Sequence, residues 1–237
     1  YTGLDPTTGL IEQFDGYFDL ERVDLEDYEP RTAPMDVLLG RERITQTQII
    51  KQPDVVMLIY LLWDQFTPEL REANFRYYEQ RCGHGSSLSP SIHALVAARL
   101  GDLALAERYF RQAAEIDLAD NMGNAAGGVH AAAQGGLWQA AVFGFAGMRL
   151  RNDGLAFDPH LLPIWQDLSF PVEWRGRRLR VCACPAPSQL DVLLERGESM
   201  AIAVGPDADA KVRVEPGRRY RTEKVDSIWR PWREVPT

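Results

Sequence analysis

The sequence predicts a mainly helical region over residues 1–153, followed by a β-rich region over residues 154–237. Helical periodicity dominates from about residue 44 to 150. After Gly154, short runs of alternating apolar and polar residues are separated by turn residues. Apolar side chains make up 45% of the 237 residues and charged ones 25%, the ordinary balance of a globular protein. We therefore expect helices first and a small antiparallel β-sandwich second.

Residues 1–45 are irregular and acidic. Glycine and proline recur there too often for long helices or strands. Residues 1–30 contain nine acidic side chains against a single basic one, Arg22, while the rest of the chain carries 25 of each sign. Aromatic residues recur between the turns, so we expect a loop packed on a core or the lip of a cleft.

The helical region contains three capped or apolar helices in its first half. Residues 46–65 are predicted to form an apolar helix that is bent or restarted at Pro53. Residues 68–80 follow Thr67, a good N-cap, and open with proline in the first turn. A third helix is expected from about residue 90 to 100, with Ser89 as its N-cap and Gly101 as its end.

Two more helices are predicted before the β-rich region. Residues 102–117 are amphipathic, with Tyr109 among the residues of the apolar side. Residues 128–150 are rich in alanine and glycine and almost free of charge, which indicates a helix buried on most sides. The stretch from Ala97 to Ile116 also resembles one tetratricopeptide unit, which would make the chain a non-catalytic interaction module. That fold needs stacked copies, and the sequence contains one.

The β-rich region is predicted from alternation and from its turns. Residues 170–181 alternate, residues 190–194 and 200–204 flank a turn at Gly197, and residues 211–214 and 219–222 flank Pro216–Gly217.

Composition also limits the partners. A net charge of −8 argues against nucleic acid, and the longest apolar run, Val55–Trp63, is far short of the roughly 20 residues that span a membrane.

Three cysteines, Cys82, Cys182 and Cys184, are too few for a disulfide framework and are interpreted as reduced thiols of a cytoplasmic protein. The four histidines and three cysteines show no metal-ligand spacing, so no metal site is expected. The sequence also lacks a glycine-rich nucleotide loop and a Gly-x-Ser-x-Gly nucleophile motif.

The loop at residues 81–91 is a candidate anion site. A glycine-flanked histidine, His84, and two hydroxyls, Ser86 and Ser87, lie just before a capped helix. Helix N-termini present unpaired N–H groups and the positive end of the helix dipole, which suits a phosphate. The alternative is a plain helix-start loop capped by serine.

Lys51 and Gln52 are candidate sugar ligands. They lie inside the apolar stretch assigned to the first helix, where a buried lysine is costly unless it is paired or functional. Gln52 offers both a donor and an acceptor to sugar hydroxyls. The alternative is that Lys51 extends its ammonium group to the surface.

A further polar stretch at residues 120–139, which includes Asn121, Asn124 and His130, suggests a cavity wall. His130 by itself is interpreted as a core histidine with satisfied hydrogen bonds.

Seven stretches together resemble glycoside hydrolase family 65, the maltose, trehalose and kojibiose phosphorylases with their hydrolytic relatives. The resemblance extends over about residues 1–181. The stretches are Glu12-Gln13-Phe14-Asp15-Gly16-Tyr17-Phe18, Ile50-Lys51-Gln52-Pro53-Asp54-Val55-Val56, Asn74-Phe75-Arg76-Tyr77-Tyr78-Glu79, His84-Gly85-Ser86-Ser87-Leu88-Ser89-Pro90, Gly123-Asn124-Ala125-Ala126-Gly127-Gly128-Val129-His130, Gly135-Gly136-Leu137-Trp138 and Phe157-Asp158-Pro159.

The resemblance implies the C-terminal half of an (α/α)6 barrel followed by the small β-sandwich. Members of the family carry a β-sandwich and the first half of the barrel ahead of this point, and their general-acid glutamate lies there. The resemblance therefore assigns no catalytic residue to this chain and implies that the chain alone is inactive. Lys51 and Gln52 match the pair that holds the transferred glucose, and His84, Ser86 and Ser87 match the phosphate-binding segment.

The implied reaction is inverting phosphorolysis of an α-linked glucose disaccharide, which releases β-glucose 1-phosphate. Inorganic phosphate is the co-substrate and no cofactor is expected. The remainder of the enzyme is the expected partner, and the resemblance is compatible with a homodimer. An inverting α-glucosidase of the same family stays an alternative, with Glu79 as the nearest candidate for its general base.

Overall fold

The protein is described here from a computed structural model that covers residues 3–30, 33–120, 123, 125–208 and 210–236. Helices fill the first part of the chain and strands the second. The α-helices within the described residues are α1 Met35–Leu38, α2 Arg41–Ile44, α3 Asp54–Leu61, α4 Pro68–Glu79, α5 Ser89–Leu100, α6 Leu103–Leu118 and α7 Ala131–Gln139. A π-helical turn, Ala140–Phe145, continues α7 without a break.

The central helix of this region is α5, whose residues from Ser89 to Ala98 are all buried. It packs against α3, α4, α6, α7 and the π-helical turn. Its end is the predicted one, because Gly101 takes the left-handed conformation (φ 83°) that closes a helix. The start of α4 is also confirmed: the Thr67 hydroxyl accepts a hydrogen bond from the amide of Leu70 at 3.3 Å.

The first predicted helix is wrong over residues 46–53. The helix begins only at Asp54, with Pro53 as its N-cap residue. A residue that precedes proline is pushed out of the helical region of backbone space, so residues up to Gln52 are extended or turned. Lys51 therefore lies outside the helix and is exposed, and the argument from a buried lysine does not apply.

The prediction of one long buried helix over residues 128–150 is half right. In α7 only Ala133 is buried, whereas Ala140, Val142, Gly144 and Phe145 of the π-helical turn are buried. The turn packs against α5, where Gly144 lies close to the backbone of Leu95. The exposed small-residue face of α7 has no covering element among the described residues.

Within the described residues, ten strands follow, arranged in two sheets with one additional pair. Their bounds are β1 Arg149–Leu150, β2 Gly154–Phe157, β3 Leu168–Trp174, β4 Arg177–Pro185, β5 Ser188–Arg196, β6 Met200–Val204, β7 Ala210–Val214, β8 Arg219–Val225, β9 Ile228–Trp229 and β10 Arg233–Val235. One sheet has the order β1-β2-β6-β7 and the other β10-β8-β5-β4-β3, while β9 pairs with β8.

The predicted strands are present, but their pairing crosses between the sheets. Among the strands just given, β2 and β6 pair in parallel and the other pairs are antiparallel. Strands β5 and β6 flank Gly197 yet belong to different sheets, as do β7 and β8 around Pro216–Gly217. Buried residues of both sheets, such as Leu155 and Val181, belong to the same hydrophobic cluster as Leu95 of α5. The helical and β parts are thus packed on a continuous core.

Among the described residues, none of the helices combines the length and apolarity that crossing a bilayer requires.

Candidate functional site

The candidate site forms where the two predicted segments meet as neighbouring extended chains. The amide of Ile50 donates to the carbonyl of Arg81 at 2.9 Å, and the amide of Gly83 donates to the carbonyl of Ile50 at 2.9 Å. This short parallel bridge between Ile50 and Cys82 sets Lys51 beside the glycines that flank His84. Lys51, Gly83 and Gly85 line the same cavity of about 230 Å³.

His84 is half-buried, in a left-handed backbone conformation with φ 48°. Its Nδ1 lies 3.0 Å from the Ser89 hydroxyl, and its Nε2 lies 3.1 Å from the Tyr109 hydroxyl. Tyr109 comes from the buried side of α6, and Ser89 is the first residue of α5. Two helices therefore fix the ring of His84 at the mouth of a cleft of about 640 Å³.

A carboxylate and a guanidinium complete the network behind the ring. The Tyr109 hydroxyl donates to Glu79 Oε1 at 2.6 Å, and Arg108 donates to the same Glu79 oxygen at 2.7 Å and to the Tyr109 oxygen at 2.9 Å. Burial raises the pKa of Tyr109, so this hydroxyl keeps its proton. Since that proton goes to Glu79, Nε2 of His84 must be the N–H donor toward the Tyr109 oxygen.

Ser86 and Ser87 lie in the turn that leads into α5, as predicted, but neither lines the cleft or the smaller cavity. The Ser86 hydroxyl accepts from the amide of Leu88 at 3.3 Å, and the Ser86 carbonyl accepts from the Ser89 hydroxyl at 3.1 Å. Ser89 is the first helical residue and Leu88 the N-cap, so the predicted cap is shifted by one position. The Ser89 hydroxyl contacts His84 Nδ1 and the Ser86 carbonyl.

Gln52 is exposed beside Lys51, and its carbonyl accepts from the side-chain amide of Gln13 at 3.2 Å. Gln13 also donates to Asp54 at 3.0 Å, which joins the acidic N-terminal segment to the start of α3. The side chains of Lys51 and Gln52 thus point away from the core, where a ligand can reach them.

The structure describes part of the polar stretch at residues 120–139. Asn121 and Asn124 lie outside the described residues. His130 is half-buried, and its Nδ1 is 2.5 Å from Asp117 Oδ1, so its hydrogen bonding is satisfied as predicted. This bond also lowers the pKa of Asp117.

Sequence reasoning missed Tyr109 and Arg108 as parts of the site. Tyr109 was placed on the apolar side of its helix, and that position is right. A buried tyrosine hydroxyl needs a partner, which was the available signal that this helix face reaches a polar group. Nothing in the spacing of 30 residues between Glu79 and Tyr109 indicates that they meet.

Comparison with known proteins gives the same assignment for both parts of the chain. The family model for the glycosyl hydrolase family 65 central catalytic domain matches residues 1–139. The model for the C-terminal domain of the same family matches residues 148–205.

Curated relatives include the kojibiose phosphorylase of Halothermothrix orenii, 41% identical over 76% of this chain and 23% of its own length. The α,α-trehalose phosphorylase of Thermoanaerobacter brockii is 37% identical over 73% of this chain and 22% of its length. Among solved structures, a candidate kojibiose phosphorylase from the human microbiome superposes with a TM-score of 0.84 at 30% identity, covering 95% of this chain and 32% of that one.

The chain thus spans only about a quarter of the length of these curated relatives. The two family models cover the helical part that carries Lys51, His84 and Tyr109 and part of the β-rich region. The chain belongs to glycosyl hydrolase family 65.

Proposed function

We propose that this chain is the C-terminal portion of an inverting α-glucoside phosphorylase and supplies the sugar- and phosphate-binding side of its active site. Its relatives are named as phosphorylases of kojibiose, trehalose and maltose. The general acid lies in the part of the enzyme that precedes this chain. It protonates the leaving oxygen while phosphate attacks the anomeric carbon from the opposite face, which gives β-glucose 1-phosphate.

The observation that carries this proposal is the arrangement around His84. An inverting hydrolase needs a carboxylate free to take a proton from water, whereas a phosphate nucleophile needs donors. Glu79 is the nearest carboxylate, and one of its oxygens already accepts from both Arg108 and Tyr109. It therefore acts as an anchor for Tyr109 and His84, and His84 is the side chain through which the loop offers a donor to the cleft.

In the proposed complex, a phosphate oxygen replaces the Ser89 hydroxyl as the partner of His84 Nδ1. Ser89 can give up that contact because its hydroxyl also reaches the Ser86 carbonyl at 3.1 Å. His84 then donates from both nitrogens, to phosphate and to Tyr109. The hydroxyls of Ser86 and Ser87 and the N-terminus of α5 add donors that favour a dianion.

Lys51 and Gln52 are proposed to hold the glucose unit that is transferred. Both residues are exposed. They follow Ile50, which pairs with Cys82 directly before the His84 loop. A sugar subsite at these two residues would be next to the proposed phosphate subsite, as displacement at the anomeric carbon requires.

We propose that the helical part forms half of an (α/α)6 barrel. Apolar side chains are exposed on α3, where Met57 is 38% and Leu61 66% accessible, and around α7, where Val129 is 74% and Trp138 51% accessible. Exposed apolar residues on neighbouring elements are typical of a surface that packs against further protein. The remaining helices of the enzyme would cover them.

The test is an assay of the complete enzyme on α-linked glucose disaccharides with and without inorganic phosphate, following glucose 1-phosphate. We expect cleavage to require phosphate. Substituting both Ser86→Ala and Ser87→Ala is expected to remove phosphate-dependent release, because two donors of the loop are lost. Ser87→Ala alone separates binding from folding, since Ser86 also holds the turn. Equal cleavage without phosphate, giving only free glucose, would favour the hydrolase and Glu79 as its base.

Replacing Lys51 by alanine in the complete enzyme should lower kcat/KM for the disaccharide by at least about tenfold, or about 1.4 kcal/mol of transition-state stabilisation. Since Lys51 is exposed, the melting temperature should not change. Lys211→Ala, an exposed lysine of β7, is the matched control. Normal kinetics of the Lys51 variant would make this residue a surface lysine without a sugar contact.

A further inference from the structure

Three potential metal ligands converge behind the His84 loop. One donor atom from each of Cys82, His84 and His93 lies within 4.8 Å of the other two. Cys82 is 1% exposed and His93 is fully buried, while His84 reaches the cleft. The spacing of these residues does not indicate the group, because Cys82 and His93 lie on opposite sides of the turn that starts α5.

His93 presents a bare imidazole nitrogen to this group. Its Nδ1 donates to the carbonyl of Ser89 at 2.8 Å, so Nε2 carries the lone pair. That Nε2 is buried and has no hydrogen-bond partner in the described part of the chain. A buried nitrogen lone pair without a donor is costly and calls for a ligand.

His84 has the complementary arrangement. Its Nε2 is held by the Tyr109 hydroxyl, which is in turn held by Glu79. Its Nδ1 lies 3.7 Å from the sulfur of Cys82. In protein metal sites, the non-coordinating nitrogen of a histidine ligand is usually held in this way by a carbonyl or by a group linked to a carboxylate. Both histidines therefore have one ring nitrogen held by a neighbouring group, and a donor atom of each lies within 4.8 Å of the Cys82 sulfur.

The distances are close to those of a tetrahedral site. Zinc bonds of about 2.3 Å to sulfur and about 2.0 Å to nitrogen place the donor atoms about 3.3 to 3.6 Å apart. The Cys82–His84 pair is already near this separation. The donor atoms lie within 4.8 Å of one another, so the widest separation in the group must close by roughly 1 Å for such bonds to form.

We propose that Cys82, His84 and His93 bind a thiophilic metal ion such as Zn²⁺, with its fourth position directed to the cleft. A thiolate with two imidazoles suits zinc and disfavours magnesium or calcium. In this proposal the metal ion binds Nδ1 of His84, so it competes with phosphate for that atom. The competition rests on the proposed phosphate role of His84, whereas metal binding does not.

Titration of the complete enzyme with Co²⁺, under reducing conditions and without phosphate, tests the site directly. We expect one Co²⁺ per chain with a thiolate-to-cobalt charge-transfer band, and displacement of this Co²⁺ by Zn²⁺. Cys82→Ser should remove the band and weaken Zn²⁺ binding at least about tenfold. The double variant Cys182→Ser/Cys184→Ser, which removes two thiols of β4, should keep both. A missing band, or a band that persists in Cys82→Ser, overturns the metal site.

A second measurement separates this site from the proposed function. Inorganic phosphate should raise the apparent Kd for Zn²⁺ of the wild type, and Zn²⁺ should inhibit the wild type more strongly than Cys82→Ser, each relative to its own uninhibited rate. Zinc binding that needs Cys82 but ignores phosphate would leave the metal site standing and contradict phosphate binding at His84. Inhibition of both proteins at the same Zn²⁺ concentration would contradict an inhibitory role for the site.

Discussion

Replacing His84 by alanine in the complete enzyme is expected to lower kcat/KM for phosphorolysis about 100-fold, or about 2.7 kcal/mol. His84 is the group at the cleft whose ring is fixed by helices on both sides, through Ser89 and Tyr109. A donor held in place toward a developing or bound negative charge contributes far more than a mobile one. The loss should appear mainly as a raised KM for phosphate, with a smaller change in the KM for the disaccharide.

His160→Ala is the matched control for this variant. His160 contacts a carboxylate directly, Asp158 at 3.3 Å, and lines a separate cleft between the helical and β parts. We expect its steady-state constants to stay within about twofold of the wild type, since it holds no substrate in the proposed site. If His84→Ala changed the KM for the sugar and not that for phosphate, the assignment of the two subsites would have to be exchanged.

Replacing Gly147 by alanine should destabilise the fold by about 3 kcal/mol or more. Gly147 follows the π-helical turn, has φ +61°, and a Cβ atom there would lie 2.0 Å from the carbonyl oxygen of Asp158. Its own carbonyl accepts from the amide of Asp158 at 3.1 Å, so the two backbones are held in contact. Alanine therefore has to separate the end of the helical part from the chain that leaves β2.

Gly176→Ala isolates the backbone strain from the steric clash. Gly176 has a similar φ of +77°, but a Cβ atom there would meet no described atom within 4 Å. We expect about 1 kcal/mol for this control, the usual cost of alanine in the left-handed region. The melting temperatures of both variants and the wild type, recorded at one scan rate, make the comparison. Equal shifts for the two glycines would show that the contact with Asp158 relaxes freely.

Much of the architecture could be predicted from local rules. Thr67 and Gly101 end helices by hydrogen bonding and backbone freedom that depend on a few neighbouring residues. The alternation of β3 and β4 follows from the two faces of a strand. The predicted helix through Lys51 is absent although the apolar run is long, because Pro53 keeps the residue before it out of the helical conformation. This restriction is equally local.

The pairing of strands could not be predicted in the same way. The turns at Gly197 and Pro216–Gly217 were correctly located, but each carries the chain from one sheet to the other. A tight turn fixes the direction of the chain over a few residues, whereas the choice of partner strand depends on which apolar faces share the core. The parallel pair of β2 and β6 joins residues 47 positions apart, such as Gly154 and Ala201, beyond the reach of any local pattern.

For the site, the sequence by itself determined which residue types stand at the start of α5 and at Lys51–Gln52, and the motif order that assigns the family. Only the tertiary structure decided that Lys51 lies beside the His84 loop, that Tyr109 and Glu79 orient the His84 ring, and that His93, whose buried Nε2 has no partner among the described residues, lies beside Cys82. The physical reason is the distance along the chain between the residues that make each kind of contact. Caps and turns are set by bonds within a few residues, while these contacts exist only because α4, α5 and α6 pack against one another and exclude water from the polar groups between them.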